Sequence, residues 1–278
     1  MKDPAQGVSG HKRELRISFV DEIAAGQVAL MTFRDPAPCY AILTEATPIA
    51  TPEPAATDPG DTLDIVLIPT PSAPQTSPPA ITESSREKPT TPPVFIKYRG
   101  VELTLRSGLA TLQCDPDQAD SLISALVEFA HYERHLRRIE AEIAQGWPDL
   151  DQDKGLAFEV TPADLDRRAI VGERVNRTFS QRIHLARIEP HLNQPADTLP
   201  AAAHKLGAEL REKSQIEARF ETVDGQLEVF EYIYELSSQR IGEYKAAREE
   251  HTLEWIIIVL LAIESLMILA QLFWKSRP

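Results

Sequence analysis

The chain has 278 residues, with 29 Lys and Arg against 42 Asp and Glu and a formal net charge of −13. That length holds one large domain or two small ones, and that charge argues against a basic nucleic-acid-binding domain, so no direct nucleic-acid contact is expected. A mean hydropathy of −0.25 is the average of a soluble protein, yet such an average does not exclude one membrane span inside a polar remainder.

Residues 1–20 are polar and charged, and the apolar stretch 23–31 is short and follows Asp21 and Glu22, so no signal peptide is expected. β-like runs rich in branched or aromatic residues lie at 28–33, 39–44 and 63–69, each closed by Pro or Asp. Twelve of the 22 prolines fall within 46–93, mixed with Ser and Thr. The stretches 47–59 and 71–93 therefore read as linker or disorder, because prolines offer no backbone donor and large apolar side chains are few there. The runs 94–98 and 102–106, joined at Arg99 and Gly100, read as a β-hairpin, with 109–113 a third strand. Cys39 and Cys114 are too far apart in sequence for a metal knuckle or redox motif and read as reduced thiols.

From Asp115 the apolar period changes to that of a helix. Leu122, Leu126, Phe129, Leu136 and Ile143 recur at helical steps as far as Gly146 and Pro148. A second helix begins at Thr161, with Pro162 in its first turn and Asp164 in the reciprocal capping position. Its apolar face is expected to be Leu165, Val171, Val175, Phe179, Ile183 and Ala186, and Pro190 is expected to stop it. A third helix carries Ile216, Phe220, Val223, Leu227, Phe230, Tyr234, Ser237, Ile241 and Tyr244 at alternating steps of four and three, a seam that needs a partner helix.

Glu221, Asp224, Glu228, Glu231 and Glu235 follow that seam one position later as an acidic stripe. The second helix carries Arg167, Arg168, Arg174, Arg177, Arg182 and Arg187, which are expected to lie beside the stripe in an antiparallel helix hairpin. The alternative is that both charge sets are solvated faces.

Residues 255–274, WIIIVLLAIESLMILAQLFW, hold one ionisable group, Glu264, between Trp255 and Trp274. Twenty helical residues rise about 30 Å, the thickness of a bilayer's hydrocarbon, and tryptophans favour its interfaces. A single transmembrane helix acting as a C-terminal anchor is expected, with the bulk of the chain on the side of synthesis. Glu264 is expected to be protonated or paired, in a helix–helix contact with Ser265 nearby or, alternatively, on a proton or ion path.

The expected class is α+β. A short β-containing segment (1–45) and a proline-rich linker or insert (46–93) precede a β-hairpin with two amphipathic helices (94–200). A long coiled-coil helix (201–254) then runs into the span (255–274).

The run HTLEWIIIVLLAIE at 251–264, with LEVFEYIYELSSQRIGEYKAAREE before it, resembles the C-terminus of the family named for "required for meiotic nuclear division", a domain of unknown function. The resemblance covers roughly 160–272 and is most specific at Leu253, Glu254, Trp255 and the later Glu264. It implies a membrane-anchored helical protein that self-associates, in mitochondrial members on the matrix side of the inner membrane in support of organelle translation. It supplies no catalytic residues. The corresponding location is a cytoplasmic membrane, or the mitochondrial inner membrane in a eukaryote.

His131 and His135 lie one helical turn apart beside Glu128 and Glu133, a spacing at which two histidines can share zinc. Their order is not that of a metalloprotease, no third ligand is identifiable, and the group reads as a solvated helix face. No glycine-rich phosphate loop or nucleophile elbow appears. Neither an enzyme activity nor a cofactor is expected. Two functions fit: a membrane-anchored, self-associating scaffold or tether, and an oligomeric transport or signalling subunit that uses Glu264.

Overall fold

The structure, a computed structural model, describes residues 13–24, 26–45, 62–69, 93–106 and 108–275, with side chains as far as Ile268. Of the expected linker stretches 47–59 and 71–93, all but Pro93 lie outside the described residues. The class is α+β, with a sheet in the N-terminal part followed by helices.

Seven strands form one mixed sheet: β1 (Arg13–Val20), β2 (Ala29–Phe33), β3 (Cys39–Glu45), β4 (Thr62–Pro69), β5 (Val94–Tyr98), β6 (Val101–Arg106) and β7 (Leu109–Cys114), in the order β2-β3-β1-β4-β7-β6-β5. β4 and β7 pair in parallel and the other neighbours antiparallel. β5 and β6 meet in a two-residue turn with φ +42° at Arg99 and +83° at Gly100, the left-handed pair whose twist matches that of the strands.

β1 is not among the strands expected from the sequence, whereas β4 stands at the expected β-like run 63–69, within the segment read as linker or insert. β1 lies in a segment that is polar on average, but its Leu15, Ile17 and Phe19 alternate with Glu14, Arg16 and Ser18, and the apolar set is buried. β4 lies inside the proline-rich region yet occupies the middle of the sheet, because Leu63, Ile65 and Leu67 face inward with β1's set in register. On the other face Arg16 and Asp64, paired across β1 and β4, form a bidentate ion pair at 2.7 and 3.1 Å.

Four helices follow: α1 (Pro116–Asp153), α2 (Arg168–Asn193), α3 (Ala201–Lys213) and α4 (Ile216–Lys275). Short 3-10 turns at Lys154–Ala157 and Pro162–Arg167 join α1 to α2. Neither Pro148 nor Pro190 ends its helix as expected. Each lies near a C-terminus, where a proline removes one donor and few turns depend on it. Thr161 donates its backbone N–H to Asp164 Oδ2 at 2.9 Å, as in the expected capping box, though a 3-10 turn intervenes before α2. Residues 201–213 form a helix of their own, and α4 starts only after Gln215, which holds φ +52°.

The chain forms two compact units, Met1–Ala141 with Ile183–Asp224, and Glu142–Arg182 with Gly225–Pro278. In the first, the inward faces of the strands and the buried row Leu122, Leu126 and Leu136 of α1 supply the core, with Leu185, Ile188 and Leu210. In the second, Leu156, Val171 and Ile241 form a cluster with Val160, Leu165 and Val175.

Candidate functional site

α4 runs for 60 residues without a break, and its C-terminal part is the one helix among the described residues that is long and apolar enough to cross a membrane. None of that apolar stretch is buried within the chain. Leu253, Glu254 and Trp255 are exposed at its start, and Glu264 is exposed in its middle, with Ile263 and Leu266 beside it. Trp274 lies in α4, beyond the described side chains. An uncovered apolar surface of this length is long enough to cross the hydrocarbon of a bilayer. At bilayer depth a charged carboxylate costs roughly 2.5 to 3.5 kcal/mol on the mildest insertion scale.

The seam upstream is used within the chain. In the first unit Ile216 and Val223 are buried and Phe220 is half-buried, and Arg219 between them forms a fork on Glu140 at 2.8 and 2.7 Å and reaches Glu133 at 2.8 Å. In the second unit Leu227, Phe230, Tyr234, Ser237 and Ile241 are buried and Tyr244 is half-buried. Phe230 packs edge-on against Trp147, with centroids 4.9 Å apart. Val171 of α2 shares a cluster with Ile241, and Arg182 lies 3.7 Å from Glu231, so α2 packs beside α4 in this unit. The partner that the seam needs is therefore supplied by α1 and α2 of the same chain.

The charge rows separate rather than pairing throughout. Glu231 meets Arg182, whereas Glu221, Glu228 and Glu235 are exposed and Asp224 is half-buried. The arginines have other work: Arg167 and Arg174 both bind the buried Asp153, Arg174 also reaches Asp149 at 3.0 Å, and Arg187 donates to the Pro36 carbonyl at 2.9 Å. Asp153 closes α1, and its buried carboxylate draws two of the six arginines away from the expected pairing.

The histidine group belongs to the core of the first unit, and the solvated-face reading is corrected. His131 is fully buried and stacks on Phe33, with centroids 3.8 Å apart, and its Nε2 lies 3.2 Å from the Asp35 carbonyl. Its Nδ1 has no hydrogen-bond partner among the described residues. His135 meets the His131 ring edge-on at 4.9 Å, and Tyr132 stacks on His191 at 4.3 Å. Burial lowers the pKa of His131 to about 3 and of His135 to about 4, so both rings are neutral. Glu128, one turn earlier, is buried too; it accepts from the Ala196 N–H at 3.1 Å and pairs with Arg211 at 3.4 Å. Burial pushes its carboxyl pKa up, against the pull of Arg211. Arg211 in turn donates to the His191 carbonyl at 2.7 Å, fastening α3 to the end of α2. Sequence spacing shows the turn shared by His131 and His135 but not the aromatic strand residues that cover them.

Among the described residues no three His, Cys, Asp or Glu side chains are placed to hold a metal ion. Cys39 and Cys114 are free and buried, and Arg134 donates to Cys39 Sγ at 3.4 Å. No family model and no curated protein matches this chain.

Proposed function

We propose that the protein is a membrane-anchored scaffold or tether that self-associates and recruits partners, acting by position rather than by chemistry. The observation that carries this reading is the uncovered apolar end of α4, continuous with a helix whose earlier turns are built into the folded units. A bilayer that takes up the span holds the sheet and helices at its surface. The resemblance to the "required for meiotic nuclear division" family extends the proposal to support of translation at that membrane, by tethering and without direct nucleic-acid contact.

Alkaline carbonate extraction of membranes expressing the full chain tests the anchor. The full chain is expected in the membrane pellet, and a variant ending at Thr252 in the soluble fraction with its helical circular dichroism retained. Release of the full chain by carbonate rejects the anchor. Copurification from mild detergent then identifies what is tethered, and ribosomal components are the outcome that the resemblance favours.

Glu264 supports a second reading, a transport or signalling subunit in which several copies surround a path. Proton or ion flux into liposomes carrying the purified chain, lost in Glu264→Gln, would favour that reading; vesicles that stay tight favour the tether.

A further inference from the structure

We propose that two copies of this chain join inside the bilayer, the carboxyl of Glu264 in one copy hydrogen-bonding to Glu264 and Ser265 of the other. This rests on the reading of 255–274 as a span and names the contact through which the anchored chain self-associates. The seam, which the sequence offers as the oligomer contact, is occupied: Leu227 and Ile241 are both 0% exposed within one chain. The apolar stretch is not occupied, since every described residue from Leu253 to Ile268 is exposed.

Most of that stretch needs no protein cover once in lipid, because acyl chains are as apolar as leucine and isoleucine. Glu264 is the exception. Hydrocarbon offers it neither donor nor acceptor, no described residue pairs with it, and the one candidate span among the described residues is its own. Its partner therefore comes from another chain.

A second copy fits that role on three counts. A protonated carboxyl both donates and accepts, so two of them satisfy each other without an opposite charge. Two identical anchors in one membrane place their Glu264 residues at the same depth, and a two-fold axis along the membrane normal makes the contact self-complementary. Ser265, next in sequence, adds a second donor and acceptor.

The test is the particle mass of the full chain in mild detergent, by light scattering, for wild type, Glu264→Leu and Glu264→Gln, with cysteine crosslinking across the spans in native membranes. Wild type is expected as a dimer or larger. Glu264→Leu is expected to lose the crosslink and fall to the mass of one chain, whereas Glu264→Gln keeps both, since an amide also donates and accepts. An unchanged mass for Glu264→Leu overturns the proposal, as does a wild type that is already monomeric. Loss of assembly in Glu264→Gln as well as in Glu264→Leu also overturns it, because a partner that needs the negative charge is a cationic span of another protein. Carbonate extraction in parallel keeps the two readings apart: a monomeric wild type that stays in the pellet rejects the contact alone, and release of the wild type rejects the anchor.

Discussion

Gly146 of α1 meets the edge of the Phe230 ring of α4: a Cβ on Gly146 would stand 2.9 Å from Phe230 Cε1 and 3.4 Å from Cζ. The missing side chain is what lets the ring approach α1 so closely, and Trp147 packs against the same ring in a T-shaped contact with centroids 4.9 Å apart. Gly146→Val should therefore destabilise the protein by about 2 to 3 kcal/mol, as overpacking of a tight contact does. Gly146→Ala should cost less, because alanine regains up to about 1 kcal/mol of helix propensity. Thermal melts of both variants in the same detergent check the order; a stabilised Gly146→Val would show that the ring moves aside freely.

Asp153 is buried with its carboxylate between Arg167 and Arg174. Asp153→Ala leaves the largely buried Arg174 without that partner, and loss of one member of a buried pair costs about 3 to 5 kcal/mol. Exposed Glu235→Ala should stay within ~0.5 kcal/mol. Urea denaturation of the two variants side by side measures the difference.

Acidification should destabilise the first unit through its neutral histidines. The folded pKa of His131 is about 3, below the ordinary value near 6.5, so between those pH values the unfolded chain binds more protons than the folded one. Its stabilising contribution is complete above about pH 6.5 and is lost as the pH falls toward 3, with a slope of up to ~1.4 kcal/mol per pH unit. His135, at about 4, acts in the same direction. Urea midpoints at pH 7.5, 5.5 and 4.5 should fall in that order. His131→Phe, which keeps the stack on Phe33, should flatten the dependence; an unchanged slope would exclude His131 as its source.

Charge reversal compares a member of the acidic row that meets an arginine with one on an exposed position. Glu231→Lys places a cation beside Arg182 and should cost about 0.5 to 1 kcal/mol, whereas Glu228→Lys, on an exposed position, should leave the melting temperature unchanged. Equal effects at both sites would mean that the net field of the row matters more than the one contact.

Much of the fold is legible in the residues, element by element. The hairpin at Arg99 and Gly100, the seam of α4 and the apolar end of the chain each carry a period or turn signal that survives into the structure. β1 is equally periodic, but its charged alternate residues conceal it in any average over the N-terminus. α2 is the instructive failure. Of its expected apolar row only Val171 is buried, with Thr178, Leu185, Ile188 and Leu192, while Phe179 and Ile183 are 50% and 53% exposed. Apolar residues lie all round this helix, so spacing alone does not choose the inward face.

Taken by itself, the sequence determines the local features of this protein: strand and helix periods, the turn that needs positive φ, and an apolar helix long enough to cross a bilayer. These depend on neighbours a few residues apart, where backbone geometry is the same in any fold. Tertiary structure alone decides that the seam is filled by α1 and α2 of the same chain, that Asp153 draws two arginines from the acidic row, and that His131 lies under Phe33. Each of these joins residues far apart in sequence, and which of several equally apolar or charged rows is buried depends on what the rest of the chain packs against it.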